Sequence, residues 1–423
     1  MGMFNDASLD AVARSGFGPA RILPLYSSYC FARIPATIAA VLSGSDPSHA
    51  LPASCVHGTL QPAGQVVLFL IDGLGWNRVE ARMGTGLPGL AEFEERGVVS
   101  VLTSQFPSTT VVHTVTLYSG LPPGQAGVLE WYYREPRVGS VIAPFLMGHA
   151  GGPAGGLKKE GWTARDIFPE PAFIKTLVAA GVACRLYTNA AFTPSDFSDR
   201  MAGGADVVAT PSPEGAVDMA ARAVAAGTKP AYHFVYLDSH DTVAHRYGPS
   251  SQEADREADK LLALIGRFVE SAPAGTLVLV TADHGQVDVR PEDTVYLDRL
   301  WPDMDKLIAR GADGGPLIPA GGMGRSLFIH ALPGTEDELK GRLAAMLSGR
   351  ADVFAFDELA GAGAYGPGPL LPDLKSRAGD LVVLPRAGES VWWHGGRFTL
   401  ANRGNHGGMS ADEMRIPFLS LRI

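Results

Sequence analysis

Cysteine is scarce. Only Cys30, Cys55 and Cys184 occur in 423 residues, widely spaced and odd in number. Neither a disulfide framework nor a CxxC metal pair can be built from them, which fits a reducing compartment. Basic charge is also short: 35 Lys and Arg against 44 Asp and Glu leave a net charge of -9. That composition lacks the cationic footprint that a nucleic acid duplex requires. A small phosphate ester stays open as a partner, because bound cations can supply positive charge locally. Long apolar runs are missing too; Val66–Ile71 is strand-length and far short of a membrane span. The stretch MGMFNDASLDAVARSGFG shows no basic region followed by an apolar one, as a signal peptide would. The expectation is a cytoplasmic protein with no membrane partner. Composition does not speak to its oligomeric state.

What is present is a hydrophobic content of 46%, with 51 Gly and 31 Pro. This suits a sizeable core carrying many loops. Strand candidates are Val66–Ile71, Val98–Leu102, Ala183–Tyr187, His233–Leu237, Thr276–Thr281 and Leu381–Leu384. Amphipathic stretches such as Phe173–Ala180, Glu214–Ala226 and Gln252–Glu270 lie between the first five. Continuous apolar strands alternating with helices imply an α/β fold around a mostly parallel sheet covered on both faces. Residues 1–60 carry no clear period and read as an N-terminal extension packed on a catalytic core at 61–289. Residues 290–398 read as an inserted accessory subdomain, with a capping box predicted at Thr335-Glu-Asp-Glu338. Residues 399–423 return to the core.

Polar clusters stand at the predicted strand ends, where ligands of such sheets bind. Asp72 ends the run VVLFLI, and Gly73 and Gly75 follow; the plain alternative is a helix cap. Phe106-Pro-Ser-Thr-Thr110 opens a helix-like stretch to Ser119, so Thr110 is either another cap or a nucleophile set beside free helix N–H groups. In Asp241-Thr-Val-Ala-His245 two donors four apart share a helix face, with Asp238 and His240 as competing registers. Asp283-His284-Gly285 follows another strand, and a turn there lets both side chains converge on one ion. His406 lies in the loop Asn405-His-Gly-Gly408, with His394-Gly-Gly396 as a similar alternative. Together these supply two carboxylate/imidazole sets. Oxygen and nitrogen donors without thiolate suit two divalent cations, zinc first, then manganese or iron. Paired ions can stabilise attacking and departing oxygens at phosphorus. No G-x-S-x-G elbow occurs, which argues against a serine hydrolase.

In this order and spacing, Asp72, Phe106–Thr110 with Gly120-Leu-Pro-Pro, Asp241-x3-His245-x2-Gly-Pro, Asp283-His284-Gly285 and His406-Gly resemble the alkaline phosphatase superfamily. Within it they are similar to the type I phosphodiesterase/nucleotide pyrophosphatase family, from about Val66 to Gly408. The resemblance implies an alkaline-phosphatase-like α/β sandwich with an inserted subdomain. It also implies one metal on Asp241, His245 and His406, the other on Asp72, Asp283 and His284, and Thr110 as nucleophile and ligand, bridging or touching the second. It selects Asp241 over Asp238 and His406 over His394.

Two departures concern the substrate. Animal-type members carry an aromatic residue after the nucleophile, where this chain has Val111, and an Asn beyond the Gly-Leu-x-Pro turn, where it reads Val128-Leu-Glu-Trp-Tyr-Tyr133. Trp131, Tyr132, Asn189 and Phe192 are the alternative pocket candidates, against aromatic core packing. The expected activity is cleavage of phosphodiester or pyrophosphate bonds in a small phosphate ester through a covalent threonine intermediate. A phosphomonoesterase or phosphonate hydrolase with the same site, and an inactive metal- or ligand-binding protein, are the alternatives.

Overall fold

The computed structural model describes residues 3–227, 230–322 and 324–423. Eight strands form its central sheet: β1 (Met3–Phe4), β2 (Gln65–Ile71), β3 (Val98–Thr103), β4 (Ala183–Asn189), β5 (Asp206–Thr210), β6 (Ala231–Leu237), β7 (Thr276–Thr281) and β8 (Arg415–Arg422). The order across the sheet is β1-β3-β8-β7-β2-β6-β4-β5. Neighbours are parallel except the two pairs that include β8. Every residue of β2, β3 and β7 is buried. Both faces of the sheet are covered there, which is why these strands read as apolar runs without alternation.

Helices Ile34–Ser43, Thr110–Ser119 and Ala172–Ala179 pack on one another, and Gln252–Ser271 packs on both Pro213–Ala226 and Ser239–Tyr247. The expected α/β sandwich around a mostly parallel sheet is the architecture. Among the described residues no helix is long and apolar enough to cross a membrane.

A second sheet, entirely antiparallel, orders Ala320–Gly322, Ser326–Ile329, Leu381–Pro385 and Ala351–Ala355. Its alternation is used on both sides. Leu327, Ile329 and Val383 belong to a separate core with Trp301 and Trp392, while Phe328, Val382 and Leu384 join the main core. The 290–398 stretch is thereby anchored through one face of its own sheet.

Local expectations differ in two places. The first sixty residues supply an edge strand, β1, paired parallel with β3, besides helices at Asp6–Ala13 and Ile34–Ser43. The capping box at Thr335 does not form. Thr335 has helix-like torsions (φ -105°, ψ 0°), and its hydroxyl donates back to the Leu332 carbonyl at 2.8 Å. A cap needs an extended residue whose oxygen faces forward along the helix.

Because β2, β3, β6 and β7 run in one direction, their carboxyl ends share an edge of the sheet. Asp72 follows β2, the Ser104–Thr109 loop follows β3, Asp238–Asp241 follows β6 and Asp283 follows β7.

Candidate metal centre

Thr110 is the first residue of the helix Thr110–Ser119, behind an extended Thr109. The first amides of any helix have no acceptor within it, so this end presents free N–H groups and a partial positive charge. The Thr110 hydroxyl oxygen lies 3.3 Å from Asp72 Oδ1 and 3.1 Å from His284 Nε2. His284 Nε2 is in turn 3.6 Å from Asp72 Oδ1 and 3.4 Å from Asp283 Oδ2. On the other side, His245 Nε2 is 3.3 Å from Asp241 Oδ2 and His406 Nε2 is 3.8 Å from Asp241 Oδ1. The rings of His284 and His406 stack at 3.7 Å, which brings the two groups into one site.

All three imidazoles are oriented alike. His245 Nδ1 meets the Gly404 carbonyl at 2.7 Å, His406 Nδ1 the Ser108 carbonyl at 3.0 Å, and His284 Nδ1 the Gly285 carbonyl at 3.1 Å. A carbonyl can only accept, so the proton sits on Nδ1 and each Nε2 lone pair faces the carboxylates. Tethering of this kind is how proteins hold imidazole ligands for a metal.

The carboxylates show the complementary strain. Burial, then the neighbouring Asp283 and Asp241 charges, raises the Asp72 carboxyl well above its ordinary pKa. Asp241 is also raised, by burial first. Burial lowers His284 and His406 well below the usual imidazole range, so both rings stay neutral. Asp283 Oδ1 accepts from the amides of Gly73 and His284 at 3.1 and 2.9 Å, whereas its Oδ2 is buried without a hydrogen-bond partner. An orphaned carboxylate oxygen beside aimed imidazole lone pairs fits a divalent cation.

Two sets of donors lie close enough to share an ion: Asp241, His245 and His406, and Asp72, Asp241 and His284. The first is the set the resemblance implied. In the second, Asp241 stands where Asp283 was expected. Asp241 therefore faces both positions, and Asp283 offers its Oδ2 3.4 Å from His284 Nε2.

Of the four pocket candidates, Trp131 and Phe192 line the cavity above Thr110, whereas Tyr132 and Asn189 do not. Tyr132 adjoins Trp131 in the chain and turns the opposite way, edge-on to Phe398 at 5.9 Å. Asn189 is spent locally, donating to Asp238 at 3.2 Å. His394 bonds Thr399 and packs edge-on to Tyr296.

Sequence reasoning passed over several groups. The Tyr236 hydroxyl donates to Asp72 Oδ2, and Gln286 donates to Asp241 Oδ1. Glu130 lines the cavity with its carboxyl pushed up to about 7, chiefly by burial. Its Oε1 lies where a Cβ on Gly322 would come within 2.0 Å, so a larger residue there would have to displace the Glu130 carboxyl. For Tyr236 the signal was a polar-tipped ring at the end of an apolar strand.

The loop carrying His406 is held by a fully buried ion pair, Arg325–Glu413. Glu413 accepts from Gly408 N at 2.9 Å and from the Ser410 hydroxyl at 2.6 Å. Arg325 meets it with Nε at 2.9 Å and a second nitrogen at 2.8 Å. Burial pushes the Glu413 carboxyl up, but Arg325 and these donors outweigh it and hold the group below its ordinary range. Arg325→Met leaves Glu413 buried and unpaired and should cost about 3–5 kcal/mol, measurable by urea unfolding. Metal affinity should fall with it, because the 407–410 loop loses its anchor; unchanged unfolding and metal titration would refute this role.

A profile of the family described as type I phosphodiesterase/nucleotide pyrophosphatase matches residues 66–409. No match was found among curated protein sequences. Among solved structures, murine ectonucleotide pyrophosphatase/phosphodiesterase 5 in an inactive form with AMP is similar at TM-score 0.60 and 18% identity, covering 84% of this chain and 87% of that one. Phosphonoacetate hydrolase from Sinorhizobium meliloti 1021 with phosphonoformate is similar at TM-score 0.62 and 18% identity, covering 85% and 91%. At such identities the likeness concerns the fold. The profile spans the strand-end donors and most of the chain, and on that ground the chain belongs to the type I phosphodiesterase/nucleotide pyrophosphatase family of phosphoryl hydrolases.

Proposed function

We propose that this protein hydrolyses the diester or pyrophosphate bond of a small phosphate ester through a covalent intermediate on Thr110. The observation carrying this reading is a site in which three Nε2 lone pairs meet the carboxylates of Asp72, Asp241 and Asp283, with Asp72 and His284 lying directly against the Thr110 hydroxyl. Two divalent cations, zinc by donor chemistry, would be held by Asp241, His245 and His406 and by Asp72, His284 and Asp283, with Asp241 facing both. Bound there, they supply positive charge to the reacting oxygens and lower the pKa of the Thr110 hydroxyl.

The chain's own groups do the rest. Asp72 Oδ1 accepts the hydrogen bond of the Thr110 hydroxyl and orients its oxygen towards the cavity. The helix amides behind Thr110 face the non-bridging phosphoryl oxygens. The Thr110 oxygen bonds to phosphorus as the bond to the departing alcohol or phosphate breaks, and the hydroxyl proton leaves to solvent. Water then cleaves the phosphothreonine, restoring the hydroxyl and releasing the second product.

Diesters are favoured over monoesters because, among the described residues, no Lys or Arg lines the cavity to meet an additional phosphoryl charge. Metal quantification on purified protein, paired with turnover of aryl phosphodiester, phosphomonoester and phosphonate probes, tests the reading. Bound transition metal with diester preference is the expected result. Monoester preference overturns the diester assignment, and absence of both metal and turnover overturns the hydrolase.

A further inference from the structure

The cavity over Thr110 measures about 660 Å³, within the range of small-molecule clefts. Its base is polar: Thr110, Asp72, Asp241, His245 and His406. Its walls are not. Trp131, Phe145, Phe197, Tyr118 and Phe234 line it, and their rings interlock. Phe145 lies 4.4 Å from Phe197 between centroids, Tyr118 stands edge-on to Phe197 at 5.7 Å and to Phe234 at 6.1 Å, and Trp131 is edge-on to Phe145 at 6.3 Å. Edge-to-face rings at these distances form a preorganised wall that does not have to collapse onto its ligand.

At the rim stand Leu146 and Phe192, 42% and 46% exposed, two of the few large apolar side chains that the fold leaves in water. Both line this cavity, so the apolar surface continues from the wall to the solvent. Away from the base, the carboxyl groups on the lining are Glu130 and Asp238, and among the described residues no Lys or Arg lines it. Uncharged hydroxyls of Thr114, Thr188, Ser195 and Ser198 also line it. A second anionic group on a substrate would meet carboxylates and aromatic faces with no cation to pair with, at a desolvation cost that nothing offsets.

We infer that this chamber is the specificity site for the group esterified to the phosphoryl, and that it takes an uncharged apolar substituent, aromatic or alicyclic, in place of one bearing a further anion. The inference rests on the phosphoryl-hydrolase reading for what lies at the base. The wall comes from side chains well separated in sequence, Tyr118, Trp131, Phe145, Phe197 and Phe234, which the fold gathers on one side of the nucleophile.

Three phosphonates that differ only in their substituent test it: methylphosphonate, phenylphosphonate and phosphonoacetate. Their dissociation constants on zinc-loaded protein, by calorimetry, are read beside hydrolysis of bis(4-nitrophenyl) phosphate. Phenylphosphonate should bind tighter than methylphosphonate by on the order of tenfold to a hundredfold, as expected of an apolar pocket. Phosphonoacetate should bind no tighter than methylphosphonate. Trp131→Ala should narrow the phenyl-to-methyl ratio. Phe192→Lys, a change at an exposed rim position that the fold tolerates, should tighten phosphonoacetate severalfold relative to methylphosphonate. Equal binding of the phenyl and methyl compounds, or tightest binding of phosphonoacetate, overturns the inference even where the diester is hydrolysed. Preferred phenylphosphonate binding without any hydrolysis sustains the chamber's assignment and refutes the hydrolase reading instead.

Discussion

Replacing Thr110 with alanine is expected to lower turnover of an aryl phosphodiester by on the order of a thousandfold or more while bound metal is retained. Loss of the hydroxyl and the γ-methyl leaves every carboxylate and imidazole of the site in place, so those donors to the ions are untouched. One rival oxygen stands nearby, the Tyr236 hydroxyl on Asp72 Oδ2. Burial, then the Asp72 charge, pushes that phenol well above its ordinary pKa, so it remains a neutral donor and a poor nucleophile. Tyr236→Phe should therefore cost far less than Thr110→Ala, and Thr110→Ser should restore part of the rate. Acid quenching during turnover, followed by mass spectrometry, should find phosphate on the peptide containing Thr110. Substantial activity in Thr110→Ala would show that water attacks directly and that Thr110 only caps its helix.

The parts of this site that could be read in the sequence are those whose chemistry is local. Asp72 and Asp283 directly follow apolar runs, and β7 runs from Thr276 to Thr281 as expected because a strand buried on both faces announces its ends by loss of apolarity. Asp241 and His245 share a helix turn. What escaped depends on pairs far apart in the chain. Arg325 and Glu413 are 88 residues apart, and neither has any local feature that marks a buried ion pair. The sharing of Asp241 between both donor sets depends on Asp72, His284 and His406 reaching it from elements far off in the sequence, which periodicity does not encode. Residue type near the right loops marks Tyr132 and Asn189 equally with Trp131, but adjacent side chains on extended backbone point to opposite sides, so Trp131 lines the cavity and Tyr132 does not. The two-residue strand β1 is too short for any alternation to register.

Stripping the metals should destabilise the protein, and the loss should be larger at pH 8 than at pH 5. The signs follow from the site's own groups. Asp72 and Asp241 have raised pKa values in the metal-free fold, so above about pH 4 the folded chain holds protons that the unfolded chain has released. Stability then falls as pH rises towards the folded values. His284 and His406 are lowered, so their contribution is present above about pH 6.5 and is lost as pH falls below it. Above that point the imidazoles no longer change. A cation reverses this, because it binds the deprotonated carboxylates and gains affinity as pH rises. With metal near a thousandfold over its dissociation constant, each ion contributes about 4 kcal/mol, and two ions should separate the zinc-loaded and chelated melting curves by roughly 5–10 °C at pH 8. Asp72→Asn should raise the melting temperature of the chelated protein at pH 8, because one of the crowded charges is gone, and should shrink the gain from zinc. Scanning calorimetry with zinc and with chelator across this pH range decides it: coincident curves at pH 8 would mean that these carboxylates are not gathered to hold metal.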